Sequence, residues 1–240
     1  MSTTIDQQNN EVFQKYYDEL APIFLDYKSG QEEFTKLVDI NSKCVEIGSG
    51  TGLFILPLLS NGYCIDGIEP NLTFVEKFKQ QNQTATIYRC LITEFDFNDH
   101  NYNVVFSHSG PFLFTKHEGN LYFEGMIRTG LDENKNMLKI ILTYLQKQNG
   151  MFMINIQENK SNIELSDNVT YTLNVLYPYY DCESMQVSKE YAFQPIKHPE
   201  SYTKFACSLD QFTKMIEEFG DFSIETHEKW VVVKPNMLKF

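Results

Sequence analysis

The residue types that could do chemistry crowd into one stretch, Glu46-Ile47-Gly48-Ser49-Gly50-Thr51-Gly52, at the end of an apolar run. Alternating glycines let the backbone approach a ligand that side chains would hold off. Glu69 follows twenty-one residues beyond Gly48, at the end of the next apolar run. A carboxylate so placed accepts from two vicinal hydroxyls at once, as on a ribose. A dinucleotide site spaces its glycines as G-x-G-x-x-G, whereas position 53 here is Leu. Glu46 precedes Gly48 by two residues; it would repel a pyrophosphate and suits a cationic ligand. The plainer alternatives are a tight turn without a ligand and, for Glu69, a solvated strand end or a carboxylate favouring a helix N-terminus.

A second set of residues suggests an acceptor pocket. His108 follows an expected strand, and an imidazole with an ordinary pKa of about 6.5 suits proton transfer at neutral pH. The alternative is a hydrogen-bonding turn histidine. Tyr16 and Tyr17 lie on the first expected helix, where one of them could hydrogen-bond an acceptor or simply pack. Between Pro111 and Leu131, Phe112, Phe114, Tyr122, Phe123 and Met126 could wall a pocket, completed by Tyr171, Tyr177, Tyr179 and Tyr180. The same aromatics could instead form ordinary core or a homodimer surface.

The elements that must position these residues follow from periodicity. Helical spacing runs over Val12–Leu25 and from about Gln31 to Val38, then again over Leu53–Leu59, Asn71–Gln80, Asn134–Gln148 and Leu209–Phe219. Between them, Lys43–Ile47, Tyr63–Ile68, Ala85–Cys90, Asn103–Ser107 and Met151–Ile156 read as strands. This alternation predicts an α/β fold, a Rossmann-like and mostly parallel sheet with helices on both faces. Val169–Leu176 and Met185–Phe193 alternate like an antiparallel pair inserted after the fifth strand, and Tyr202–Cys207 offers another strand. Phe222–His227 and Lys229–Val233 predict a closing hairpin.

One domain of 240 residues is expected. Its parts are a flexible tail (1–10), a helical lid (11–40), a cofactor-binding core (41–156), an antiparallel excursion that caps the acceptor (157–207), and a last helix with its hairpin (208–240). The net charge is −12 and no basic run occurs, which argues against an extended nucleic-acid or anionic-membrane surface. No apolar stretch approaches the roughly 20 residues that span a bilayer. The polar start, Met1 to Asn10, lacks the apolar core of a signal peptide. The five cysteines lack metal-ligand spacing, so buried reduced thiols, no metal and a cytoplasmic location are expected.

The chain resembles class I S-adenosylmethionine-dependent methyltransferases. Val45-Glu46-Ile47-Gly48-Ser49-Gly50-Thr51-Gly52 is similar to their E/D-x-G-x-G-x-G signature, and Glu69 to their ribose-binding acid. Tyr17-Asp18-Glu19-Leu20-Ala21 resembles the Y-D-x-x-A opening of small-molecule members. Asn103-Val104-Val105-Phe106-Ser107 resembles their F-D-V-V strand. The resemblance extends from about Tyr16 to Ile156. It implies S-adenosylmethionine as cofactor and methyl transfer to N or O of a small molecule, as in small-molecule N- and O-methyltransferases. It also implies that Glu46 steadies the turn and the cofactor's amino-acid end, that Gly48, Gly50 and Gly52 permit close approach, and that Glu69 holds the ribose. Ser49, Pro70 and Ser107 join the expected cofactor contacts. The position matching the adenine-facing acid is Leu91, so the Ile92 backbone or Glu94 would serve there. His108 and Tyr17 are the expected catalytic residues. A protein that binds S-adenosylmethionine without methyl transfer is the second reading. A nicotinamide-dependent oxidoreductase is the third, opposed by Leu53 and Glu46.

Overall fold

The computed structural model describes residues 11–127, 129–176 and 185–236. The expected tail over 1–10 and Tyr177, Tyr179 and Tyr180 lie outside the described residues. The first sheet is built on β1 (Lys43–Ile47), β2 (Cys64–Ile68), β3 (Ile87–Tyr88), β4 (Val104–Ser107) and β7 (Met151–Glu158), all parallel in the order β3-β2-β1-β4-β7. β13 (Trp230–Pro235) adds antiparallel to β7, and β12 (Phe222–Thr226) closes the hairpin on it. Strand order departs both ways from β1, so a crevice opens beyond the carboxyl ends of β1 and β4.

The strands are near-continuous apolar runs because both faces are covered. Their two-residue period sorts side chains to two cores. Val105, Phe152, Ile154, Val231 and Val233 meet Leu138, Ile141 and Leu145 of α5 (Leu131–Gln148) and Phe212 and Ile216 of α6 (Leu209–Glu217). Their neighbours Val104, Phe106, Met153, Trp230 and Val232 meet Phe34 of α2 (Tyr27–Leu37), Leu58 of α3 (Ile55–Ser60) and Phe78 of α4 (Leu72–Gln81).

The antiparallel excursion is present and larger than expected. β9 (Thr170–Val175), β10 (Gln186–Gln194) and β11 (Lys197–Ser208) form its centre, with β8 (Ile163–Glu164) at one edge. A hairpin of β5 (Leu113–His117) and β6 (Asn120–Ile127) joins it through β6 and β11. Of the two readings for this segment's aromatics, pocket wall or core, the core holds for three: Phe112, Phe114 and Phe123 are fully buried, and both Phe114 and Phe123 pack on Phe212. β7 belongs to both sheets: Met151–Ile154 pairs with β4, and Ile156–Glu158 pairs with β5. α1 (Glu11–Leu25) lies on the second sheet, with Tyr16 and Leu20 in a core with Tyr171, Tyr191 and Phe193.

Gly52 holds φ at +86°, and a Cβ there would overlap the Phe78 ring. Gly52→Ala therefore combines a left-handed backbone with overpacking, and a loss of about 2–4 kcal/mol is expected. Urea unfolding monitored by circular dichroism should show the midpoint falling accordingly; an unchanged midpoint would contradict this account of the turn.

Candidate functional site

A cavity of about 300 Å³ opens at the crevice, within the size range of small-ligand sites. Its floor is the glycine turn, with Gly48, Gly50, Glu69, Pro70, Leu91 and Ile92 on the wall. α1 roofs it with Phe13, Tyr17, Leu20 and Phe24. The second sheet closes the far side with Met126, Tyr171, Tyr191, Tyr202 and Lys204. Gln157 of β7 and Ser109 after β4 also line it and are hydrogen-bonded to each other.

The turn is tied to β2. Gly48 and Ser49 each donate a backbone N–H to Ile68 O, at 2.8 and 3.1 Å. Gly50 N donates to Glu69 Oε2 at 2.9 Å, and Asn71 N donates to Oε1 at 2.9 Å. Burial pushes the Glu69 carboxyl up to about 7, while these two backbone donors pull it down. Glu46 is buried beneath the turn, and its Oε2 finds no hydrogen-bond partner. Burial, and secondarily the charge of Glu69, holds Glu46 well above the usual carboxylate range. Two buried acids, one with a partnerless oxygen, fit a ligand that brings hydroxyl donors and a cationic end.

Tyr17 sits over the turn: a Cβ on Gly50 would lie 2.9 Å from its hydroxyl oxygen. Its ring packs on Phe74 at 4.7 Å between centroids. Burial keeps its phenol above the ordinary value, so Tyr17 is a protonated hydrogen-bonding group rather than a base. The next residue in sequence fastens the roof. Asp18 accepts from Thr51 Oγ1 at 2.7 Å and from Lys77 Nζ at 2.9 Å, joining α1 to the turn and to α4.

Several expected contacts fall elsewhere. His108 does not line the cavity. Its ring stacks between Phe54 and Tyr27, with centroids at 4.1 and 5.1 Å, and Trp230 lies at 5.6 Å. Neither ring nitrogen has a hydrogen-bond partner, and burial drives the imidazole down to about 3. Its placement among aromatic rings therefore corrects the expected general base. Ser107 Oγ is used locally, donating to Phe112 O at 2.7 Å. Ser49 points toward Gly67, since a Cβ there would meet its side chain, and Gly52 faces Phe78. These three shape the turn and the loop after β4 without forming the cavity wall. Tyr16 is buried against Phe193, 6.0 Å between ring centroids. Glu94 folds back to accept from Leu91 N at 3.0 Å. Tyr171 lines the cavity as expected, whereas Gln157, Tyr191, Tyr202 and Lys204 carried no local signal. Among the described residues no cluster of metal-ligating side chains occurs, and Cys44, Cys64, Cys90 and Cys207 are free thiols. No helix among them is long and apolar enough to cross a membrane.

Residues 45–128 match the model of a family described as a methyltransferase domain. A search of curated proteins finds no match. Among solved structures, the CcbJ methyltransferase from Streptomyces caelestis superposes with a TM-score of 0.64 at 14% identity, over 89% of this chain and 90% of that one. A S-adenosylmethionine-dependent methyltransferase from Clostridium acetobutylicum ATCC 824 gives 0.60 at 14% identity, over 94% and 98%. The amino pentose methyltransferase from Micromonospora echinaspora involved in calicheamicin biosynthesis, with its cofactor bound, gives 0.55 at 8% identity, over 88% and 90%. Residues 45–128 thus match a methyltransferase-domain model, and the chain has the fold of the S-adenosylmethionine-dependent methyltransferases on which it superposes.

Two consequences are measurable. His108 binds its proton more weakly folded than unfolded, so its contribution to stability is intact above pH 6.5 and is lost as the pH falls toward 3. His108→Phe keeps the ring stack and removes that loss. Relative to wild type the variant should gain about 2 kcal/mol between pH 7 and pH 5, read from urea unfolding at each pH; parallel behaviour of the two proteins would contradict the burial account. Glu69→Ala should weaken S-adenosylhomocysteine binding about 10- to 100-fold, the loss of charge-assisted hydrogen bonds. Unchanged affinity by calorimetry would remove Glu69 from the cofactor site.

Proposed function

We propose that this chain transfers the methyl group of S-adenosylmethionine to a nitrogen or oxygen of a small-molecule acceptor, in the cytoplasm. The observation that carries the reading is the continuity of the cavity. One space runs from the glycine turn and Glu69 to the tyrosine face of the second sheet. A donor on the turn and an acceptor against the tyrosines would share it. An amino pentose methyltransferase shares this fold, which supports such an acceptor.

In this reading Glu69 accepts from the ribose hydroxyls, and the backbone at Gly48 and Gly50 lies against the amino-acid end. The partnerless Oε2 of Glu46 supplies the negative partner for an ammonium. Leu91 and Ile92 flank the base, Pro70 closes the rim beside Glu69, and α1 (within 11–40) acts as the lid over the core (41–156). When bound, the cofactor supplies an electrophilic methyl on a sulfonium whose departure leaves a neutral thioether. The leaving group needs no acid from the protein. The residues contribute alignment and exclusion of water. With His108 in a neutral aromatic stack, an acceptor amine would react in its unprotonated form without a histidine base. Tyr17 donates a hydrogen bond that orients the acceptor or the cofactor.

Purified protein with S-adenosylmethionine and a fractionated small-molecule extract should release S-adenosylhomocysteine only with acceptor-containing fractions. Saturable S-adenosylmethionine binding without turnover on any fraction would favour a binding protein that transfers no methyl group. Thermal stabilisation by NAD and not by S-adenosylmethionine would overturn the cofactor assignment for this site.

A further inference from the structure

The middle of the cavity holds a polar pair that the cofactor does not use. β7 is apolar from Met151 to Ile156 apart from Asn155, and it then carries Gln157. The two-residue period puts Met153, Asn155 and Gln157 on one face of the strand. Asn155 Nδ2 donates to Lys229 O at 3.1 Å, whereas Gln157 reaches the cavity wall. Gln157 is buried, and its Nε2 donates to Ser109 Oγ. Among the described residues nothing donates to its Oε1. The amide edge left for the cavity is therefore the carbonyl oxygen.

The pair stands where the two ends of the cavity meet. Gly110 and Pro111, which follow Ser109, pack on the glycine turn: a Cβ on Gly48 would lie 2.7 Å from Gly110 Cα and 2.9 Å from Pro111 Cδ. Gln157 itself lies in register with Thr115 of β5, in the second sheet. Other polar side chains on the wall are engaged. Glu69 accepts from two backbone N–H groups, Tyr17 is hydrogen-bonded to Tyr27, and Tyr191 donates to Glu200 at 2.8 Å. A buried carbonyl without a donor is unfavourable, so Gln157 Oε1 calls for a donor on the ligand. A nucleophile bound between the two ends must aim its lone pair at the methyl and turn its hydrogen elsewhere. Positive charge grows on that atom as the new bond forms, which strengthens the hydrogen bond it donates.

We propose that the acceptor is a primary or secondary amine whose nitrogen donates a hydrogen bond to Gln157 Oε1 while it takes the methyl. The proposal rests on the methyl-transfer reading of this cavity. The nitrogen lone pair forms the bond to carbon, and the carbon–sulfur pair leaves on the thioether sulfur. The product ammonium keeps its proton until it reaches water. An amide oxygen accepts a hydrogen bond but takes no proton, so the pair suits an amine and not a hydroxyl that must be deprotonated.

The test is a ligand-observed NMR titration of the full chain with aniline and with toluene, which match in shape and differ in the N–H donor, with and without S-adenosylhomocysteine. The preference for aniline over toluene should fall about fivefold in Gln157→Leu, the worth of one neutral hydrogen bond. Failure of aniline to bind wild type, or an equal preference in the two proteins, would overturn the proposal. Wild type alone gives a second measurement, which decides even where Gln157→Leu fails to fold. Reductive methylation with formaldehyde and cyanoborohydride turns the primary and secondary amines of an acceptor-containing fraction into tertiary ones and leaves hydroxyls intact. The treated fraction should no longer release S-adenosylhomocysteine; undiminished release would overturn the amine assignment. Failure of S-adenosylhomocysteine to bind would instead count against the methyltransferase reading, and the probe preference measured without it still decides the role of Gln157.

Discussion

Two acids buried at the ends of adjacent parallel strands set the terms for the rest of the molecule. Glu46 lies on β1, and Glu69 follows β2. The turn between them curls so that its own N–H groups satisfy Glu69 and the Ile68 carbonyl. Glu46 is left with an oxygen that has no donor. Burial of a carboxylate favours its neutral form, and the charge of Glu69 makes ionisation of Glu46 harder still. A ligand with a cationic end and vicinal hydroxyls relieves both. In the proposed function the turn is a preformed receptor whose electrostatic need is met by the cofactor rather than by the protein.

The remaining architecture keeps the tyrosine-lined end of the cavity at a fixed distance from that turn. β7 does this with one continuous strand. Its first half lies beside β4 in the cofactor sheet, and its second half pairs with β5 in the other sheet. Gln157 stands on the second half, lines the cavity and is hydrogen-bonded to Ser109 in the loop after β4. α1 bridges the same two units from above. Tyr16 and Leu20 pack on the second sheet while Asp18 holds Thr51 and Lys77 on the cofactor side. In the proposed reaction, displacement of either bridge would change the alignment of donor and acceptor without touching a reacting group, and alignment is where such a transfer draws most of its rate.

The sequence was legible where local pattern decides structure. The apolar run into Ile47, the alternating glycines and the spacing to Glu69 locate the cofactor floor, because a strand–turn–helix unit is specified within about 30 residues. The two-residue period of Val104-Val105-Phe106 likewise announces a strand with two covered faces. The hairpin of β5 and β6 was hidden because its aromatics fit a pocket lining as well as a core, and partners such as Phe212 are distant in sequence. His108 was misread because a residue just past a strand has no assured side. Ser109 takes φ of 67°, and the imidazole ends among Phe54, Tyr27 and Trp230 rather than at the cavity. Lys189 and Lys204 look like ordinary strand lysines until pairing across 65 residues brings Lys189 to Glu124. No local motif encodes that meeting.

The central claim is that one cavity holds donor and acceptor, with the donor on the acid-floored turn. A crystal structure of the complex with S-adenosylhomocysteine tests it most directly. The account predicts ribose hydroxyls within hydrogen-bonding distance of Glu69, the ammonium at Glu46, and the thioether sulfur facing the chamber lined by Tyr171, Tyr191 and Tyr202. A ligand bound elsewhere, or one whose sulfur faces away from that chamber, would contradict it.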